Sequence, residues 1–107
     1  MSKSTIMRYS FHLTIDKNKI DEYDERHNNV WEDLKTVIKE AGVRNYSIFR
    51  DCTEVFGYWE CENLEQTINK INSSPIHAKW QVYMSDIILT PQDKRLSRPM
   101  KQVFRLD

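Results

Sequence analysis

The chain has 107 residues, with 16 Lys plus Arg balanced by 16 Asp plus Glu, so its formal net charge is zero. This length predicts a single domain over residues 1–107. The zero charge argues against a protein that binds nucleic acid through a basic surface or docks on an acidic membrane. The only two glycines, Gly42 and Gly57, are far apart, which excludes a glycine-rich phosphate loop.

The two cysteines and the hydropathy of the chain predict its compartment. Cys52 and Cys61 do not make a disulfide framework, and no apolar run reaches the roughly 18 residues of a membrane span. No apolar core of a secretory signal follows the first residues. The sequence therefore predicts a cytoplasmic protein with reduced thiols.

Apolar periodicity predicts the first two elements. Alternation over residues 7–15 is typical of a strand with one buried face. The period then changes to three or four residues, which predicts a helix over residues 20–41 with Asn18 in a capping box. The pair Asn28-Asn29 is a point where this helix is expected to bend or break. Gly42 follows the last periodic residue and predicts a glycine C-cap.

The rest of the chain predicts two further strands, a second helical region and a last strand. Their expected bounds are strands at 45–50 and 54–61, a turn at 51–53, a helix after Glu62, a second helix from Ser74-Pro75, a surface loop at 91–99 and a strand at 100–106. The order is β-α-β-β-α-β, which predicts an α+β fold of the ferredoxin-like, split βαβ type.

The strands carry large side chains at both odd-numbered and even-numbered positions. Ile48 stands beside Phe49, and Tyr58 stands beside Trp59, so both faces of the sheet are apolar. The helices of this fold cover one face only, and an apolar second face needs its own cover. We therefore expect a homodimer in which two sheets face each other, with Phe49, Tyr58 and Trp59 at the second face.

One helical stripe combines a titratable group with aromatic rings. Tyr23, His27 and Trp31 follow each other at intervals of four residues, so their side chains share a helix face. Such a stripe suits proton transfer to a small polar ligand, although aromatic stripes at this spacing are more often core packing. His12 is expected to pack or be solvated, and His77 to be exposed. The spacing of the histidines predicts no metal site.

Several blocks of the chain resemble one known family. The run Tyr23-x-x-x-His27-Asn28-x-x-Trp31 is similar to the signature of the L-rhamnose mutarotases, and further matches occur at Asn45-Tyr46-x-Ile48, Trp80-x-x-Tyr83-Met84-x-Asp86 and Gln102-Val103-Phe104. The resemblance extends over nearly the whole chain. It implies a ferredoxin-like sandwich that forms a dimeric α/β barrel, and a cytoplasmic isomerase that interconverts the anomers of a 6-deoxy sugar without a cofactor.

The resemblance also implies roles for individual residues. His27 would be the proton donor, Tyr23 and Tyr46 would bind the sugar, and Asn28 and Trp31 would support the site. Family members usually present two adjacent tryptophans to the sugar; here these are Trp80 and Gln81.

The exchange of tryptophan for glutamine puts an amide on the wall of the sugar site. We therefore keep L-fucose as an alternative substrate to L-rhamnose. Two other functions remain open. A dimeric α/β barrel of this size can also host a cofactor-independent oxygenase, and the domain could alternatively bind a small ligand without catalysis.

Overall fold

The structure is a computed structural model that describes residues 6–89 and 98–107. Its elements, in chain order, are β1 Met7–Ile15, α1 Ile20–Asn28, α2 Glu32–Glu40, β2 Arg44–Asp51, β3 Glu54–Cys61, α3 Leu64–Asn72, α4 Pro75–Met84, β4 Ile88–Leu89 and β5 Arg98–Met100. The predicted α+β, ferredoxin-like order is confirmed, with each helical region divided in two. No helix within the described ranges is long and apolar enough to cross a membrane.

The sheet is antiparallel, in the order β2-β3-β1-β4, and β5 also pairs with β1. The register pairs Tyr9 with Trp59 and Phe11 with Gly57, so these residues share the face that the helices cover. Trp59 is only 5% exposed. Its predicted place on the second face is therefore wrong, because β3 turns its odd-numbered residues towards the helices.

The helix predicted over residues 20–41 breaks where the sequence indicated. The Asn29 side chain donates to the Glu25 carbonyl oxygen and closes the last turn of α1. Trp31 then has extended backbone angles (φ −58°, ψ 134°) and precedes α2. At the end of α2, Gly42 has φ +107° and its N–H donates to the Lys39 carbonyl oxygen, as in a Schellman cap.

Two predictions at element ends are wrong. Asn18 does not cap α1; its backbone N–H donates to Asp16 Oδ1 at 2.8 Å, and the helix begins two residues later at Ile20. The last strand covers Arg98–Met100 and not 100–106, because residues 101–107 are exposed and pair with no described strand. The short strand β4 was not predicted. The predicted loop at 91–99 lies outside the described residues as far as residue 97, and the prediction is wrong at residues 98 and 99, which belong to β5.

The core lies between the helices and the sheet in two clusters. One contains Ile15, Tyr23, Val55, Met84 and Ile87, and the other contains Phe11, Val43, Trp59 and Cys61. Tyr23 is thus both a core residue and a candidate site residue. The two clusters surround a cavity that opens between the layers.

Candidate active site

A cavity of about 270 Å³ lies between the helical layer and the sheet. It is lined by all five residues to which the family resemblance gives a catalytic or binding role: Tyr23, His27, Tyr46, Trp80 and Gln81. The size is near the lower end of the roughly 300–1,000 Å³ usual for small-molecule sites. It suits a monosaccharide better than a nucleotide or an oligosaccharide.

The helix α1 brings two of these residues to the cavity. Tyr23 and His27 are one turn apart, and their rings stack with centroids 4.2 Å apart. Between them in sequence, Asp24 accepts two hydrogen bonds from Arg50 of β2, from Nε at 2.7 Å and from Nη2 at 2.6 Å. This bidentate pair joins α1 to the strand that carries Tyr46.

The environment of His27 determines which of its nitrogens can react. Its Nδ1 lies 3.0 Å from the Tyr23 carbonyl oxygen, which can only accept, so Nδ1 carries a hydrogen. Nε2 has no hydrogen-bond partner in the described part of the chain. Burial lowers the pKa of His27 below the usual 6.5, against a smaller opposing effect of the Tyr23 hydrogen bond and Asp24. Near neutral pH the ring is therefore mainly neutral, with the Nε2 lone pair available.

The two tyrosines add hydroxyl groups that stay protonated. Burial, with the nearby Tyr46 and Asp24, raises the pKa of Tyr23 well above the usual 10. Burial also raises the pKa of the Tyr46 hydroxyl to about 12, although 41% of the residue surface remains exposed. Neither hydroxyl has a hydrogen-bond partner among residues 6–89 and 98–107. Polar groups next to a cavity without protein partners are available to a ligand.

An aromatic cluster fixes the side of the cavity formed by α4. The Trp80 ring meets His27 edge to face at 5.7 Å and meets Trp31 at 5.0 Å. Trp31 does not line the cavity; it also contacts Tyr83, whose ring lies 4.1 Å from the Arg26 guanidinium carbon. Trp31 therefore reaches the cavity only through its contact with Trp80, and its supporting role stays a prediction.

Two of the residues implied by the resemblance differ in their surroundings. Asn28 is exposed at the end of α1 and is not part of the cavity lining. Gln81 is exposed as a residue but lines the cavity. The structure therefore brings Gln81 to the site and leaves Asn28 outside it.

Sequence reasoning missed further residues at the cavity. His77 was expected to be exposed, but it is half-buried and lines the cavity, as does Asn72 at the end of α3. The spacing of His77 and Gln81, four residues apart on one helix, is the signal that could have placed them together. The Asp24–Arg50 pair had no such signal, because 26 positions separate the two residues. No group of three or more potential metal ligands occurs within the described residues.

Comparisons with known proteins show the family to which the chain belongs. The model of the L-rhamnose mutarotase family matches residues 8–106. An L-rhamnose mutarotase of Oceanobacillus iheyensis is 35% identical over 103 residues, covering 94% of this chain and 98% of that protein. One of Sinorhizobium fredii is 37% identical over 103 residues, covering 92% and 97%.

A solved structure gives the same result for the fold. The crystal structure of an L-rhamnose mutarotase from Formosa agariphila superposes with a TM-score of 0.79 at 29% identity, covering 94% of this chain and 99% of that one. Sequence similarity and fold similarity thus extend over nearly the same residues. The chain belongs to the L-rhamnose mutarotase family, whose members are isomerases.

Proposed function

We propose that the protein interconverts the α and β anomers of L-rhamnose, a 6-deoxy sugar, by acid–base opening of the pyranose ring without a cofactor. The observation that carries this proposal is the position of His27, whose unpaired Nε2 belongs to a residue lining a monosaccharide-sized cavity. Family membership supplies the reaction class. The cavity supplies the groups that the reaction needs.

The reaction requires one proton to move between two oxygens on the same carbon. Nε2 of neutral His27 takes the proton from the O1 hydroxyl, the O1 electron pair forms the C1=O double bond, and the C1–O5 bond breaks. The imidazolium then gives its proton to O5, which leaves an open-chain aldehyde. Rotation about the C1–C2 bond and the reverse steps close the ring as the other anomer. O1 and O5 are bonded to the same carbon, so one imidazole can serve both.

The other lining residues suit a neutral sugar. Trp80 offers a flat ring for the apolar C–H face of a pyranose, while the Tyr23 and Tyr46 hydroxyls offer hydrogen bonds. Because both phenols keep their protons far above neutral pH, they can bind hydroxyls without becoming charged. General acid–base catalysis by one positioned group contributes typically about 10²–10⁴-fold.

A panel of sugars tests both the reaction and the substrate. Saturation-transfer NMR measures anomer exchange of L-rhamnose, L-fucose and D-glucose, with and without the protein. We expect the largest acceleration with L-rhamnose. Faster exchange of L-fucose would make the L-fucose alternative correct, and binding without acceleration of any sugar would refute the mutarotase proposal. Oxygen consumption with an aromatic substrate would support the oxygenase alternative instead.

We also propose that the protein works as a homodimer formed by its outer face, the side of the sheet away from the helices. Phe49 is 64% exposed there and pairs across the strands with Phe56, which is 38% exposed. Met100 on β5 is 48% exposed at the same face. Beyond it, the C-terminal tail, residues 101–107, exposes Val103 and Phe104 at 87% and 78%.

A second copy of the chain is the occupant that these surfaces favour. Pairing about a two-fold axis would cover the outer face and the apolar tail of both chains at once. Burying one phenylalanine contributes roughly 1.5–3 kcal/mol, and each copy contributes its own. Light scattering after size exclusion is expected to give the dimer mass at micromolar concentration, and Phe49→Glu is expected to shift it towards the monomer. A wild-type monomer would contradict the proposal.

A further inference from the structure

Three polar side chains of α3 and α4 line the cavity. Asn72 is the last residue of α3, and His77 and Gln81 are one turn apart on α4, so they share a helix face. All three line the cavity, and none of the three side chains has a hydrogen-bond partner in the part of the chain that the structure describes. We call Asn72 and His77 the distal wall, and leave Gln81 out because it directly follows Trp80, which contacts His27.

His77 and the residues of α4 that contact α1 occupy different parts of this helix. The C-terminal half of α4 packs on α1, because Arg26 donates to the Tyr83 carbonyl oxygen at 2.6 Å and the Trp80 ring contacts His27. His77 comes three residues before Trp80, which is about 4.5 Å further along the helix axis. The chain places it next to the end of α3, where Asn72 lies. His77 therefore lies nearer the start of α4, and the part of α4 that contacts α1 and His27 lies nearer its end.

A pyranose has two chemically different ends. C1 and O5, where the proton moves, form one end of the ring, and the hydroxyls on C3 and C4 lie at the other. On the basis of the proposed function, we propose that Asn72 and His77 hydrogen-bond the hydroxyls remote from C1 and thereby set which 6-deoxy sugar the enzyme prefers. These residues are specificity residues and take no part in the proton transfer.

The chemistry of the distal wall fits this role. Neutral histidine has one donor and one acceptor nitrogen, and the Asn72 amide has both kinds of atom, so the wall matches hydroxyl groups that donate and accept. Burial lowers the pKa of His77, which keeps its ring neutral near pH 7. Asn72 is exposed and can be hydrated, whereas His77 is half-buried beside apolar lining, so its unpaired ring nitrogens lose part of their hydration until a ligand satisfies them. A site of this kind rejects sugars whose hydroxyl points the wrong way.

The test compares L-rhamnose with its epimers at C3 and C4, which are 6-deoxy-L-altrose and 6-deoxy-L-talose. Anomer exchange gives kcat and KM for wild type, His77→Leu, Asn72→Ala and the polar replacement His77→Gln. Asn69→Ala is the matched control, because Asn69 is exposed on the same helix as Asn72 and does not line the cavity.

The expected effect is on binding and preference. We expect His77→Leu to raise KM for L-rhamnose roughly 3- to 10-fold, the range of one neutral hydrogen bond, with kcat changed less than about twofold. The preference for L-rhamnose over an epimer should shrink by a similar factor, and His77→Gln should restore part of it. Asn69→Ala should match wild type.

Other outcomes would overturn the inference. An unchanged KM and an unchanged epimer preference in both His77→Leu and Asn72→Ala would show that the wall does not touch the sugar. A lower kcat with the preference intact would show that His77 only supports the fold or the chemistry. If His77→Leu does not fold, Asn72→Ala decides the question alone. A wild-type protein that accelerates no sugar would instead refute the proposed function.

Discussion

Replacing Gly57 by alanine should destabilise the protein, although glycine in a strand is normally the weaker residue. Gly57 lies opposite Phe11 in the β1–β3 pair. A Cβ at Gly57 would lie 2.1 Å from Phe11 Cζ and 2.3 Å from Cε1, where ordinary contacts begin near 3.4 Å. The Phe11 ring would have to move by about 1 Å or more, and it lines the cavity. Overpacking of this kind typically costs about 1–3 kcal/mol.

The assay is urea unfolding of Gly57→Ala, Phe11→Leu and the double variant, at one protein concentration because dimer formation would add to stability. We expect Gly57→Ala to lower the free energy of unfolding by about 1–3 kcal/mol and to raise KM for the sugar. In the Phe11→Leu background the same change should cost much less, because the smaller side chain leaves room for the Cβ. Equal costs in the two backgrounds, or a gain of about 0.5–1 kcal/mol as for an unhindered strand glycine, would refute this account of the contact.

Three further predictions concern the supports of the site and its protonation. Asp24→Asn should weaken the bidentate contact with Arg50 and, by shifting α1, lower kcat/KM by up to about 100-fold in the anomer-exchange assay. Ser74→Ala should cost about 0.5–2 kcal/mol in urea unfolding, because the Ser74 hydroxyl caps α4 by accepting from the His77 N–H. Since burial lowers the pKa of His27 and its neutral form is the active one, wild-type kcat/KM should rise with pH through a midpoint below 6.5 and then level off. A midpoint above pH 7 would contradict the description of His27.

The sequence was most informative where one local pattern decided the structure. Alternation defined β1, and Gly42 marked the end of α2 because only a residue that tolerates φ +107° fits there. The side-chain amides at Asn28-Asn29 marked the break between α1 and α2. In contrast, the alternation at residues 100–106 predicted a strand wrongly. A strand also needs a partner strand for its backbone hydrogen bonds, and the periodicity of a segment does not show whether it has one.

The candidate site also has residues that a local pattern predicts and residues that only tertiary packing brings together. Tyr23 and His27 could be paired from their spacing on one helix, and the family resemblance added Tyr46, Trp80 and Gln81. His77 and Asn72 could not be placed, because their arrival at the cavity depends on how the end of α3 meets α4. Tertiary packing also determined the position of Trp59. The sequence predicted this residue on the outer face, and the register of β3 places it in the core.

The most direct test of the central claim is anomer exchange of L-rhamnose by His27→Ala at saturating sugar. The account predicts a loss of about 10²–10⁴-fold in kcat, with an unchanged unfolding transition and an unchanged mass in solution. Glu25→Ala, an exposed residue on the same helix that does not line the cavity, should keep the wild-type rate. Wild-type exchange by folded His27→Ala would show that another group moves the proton.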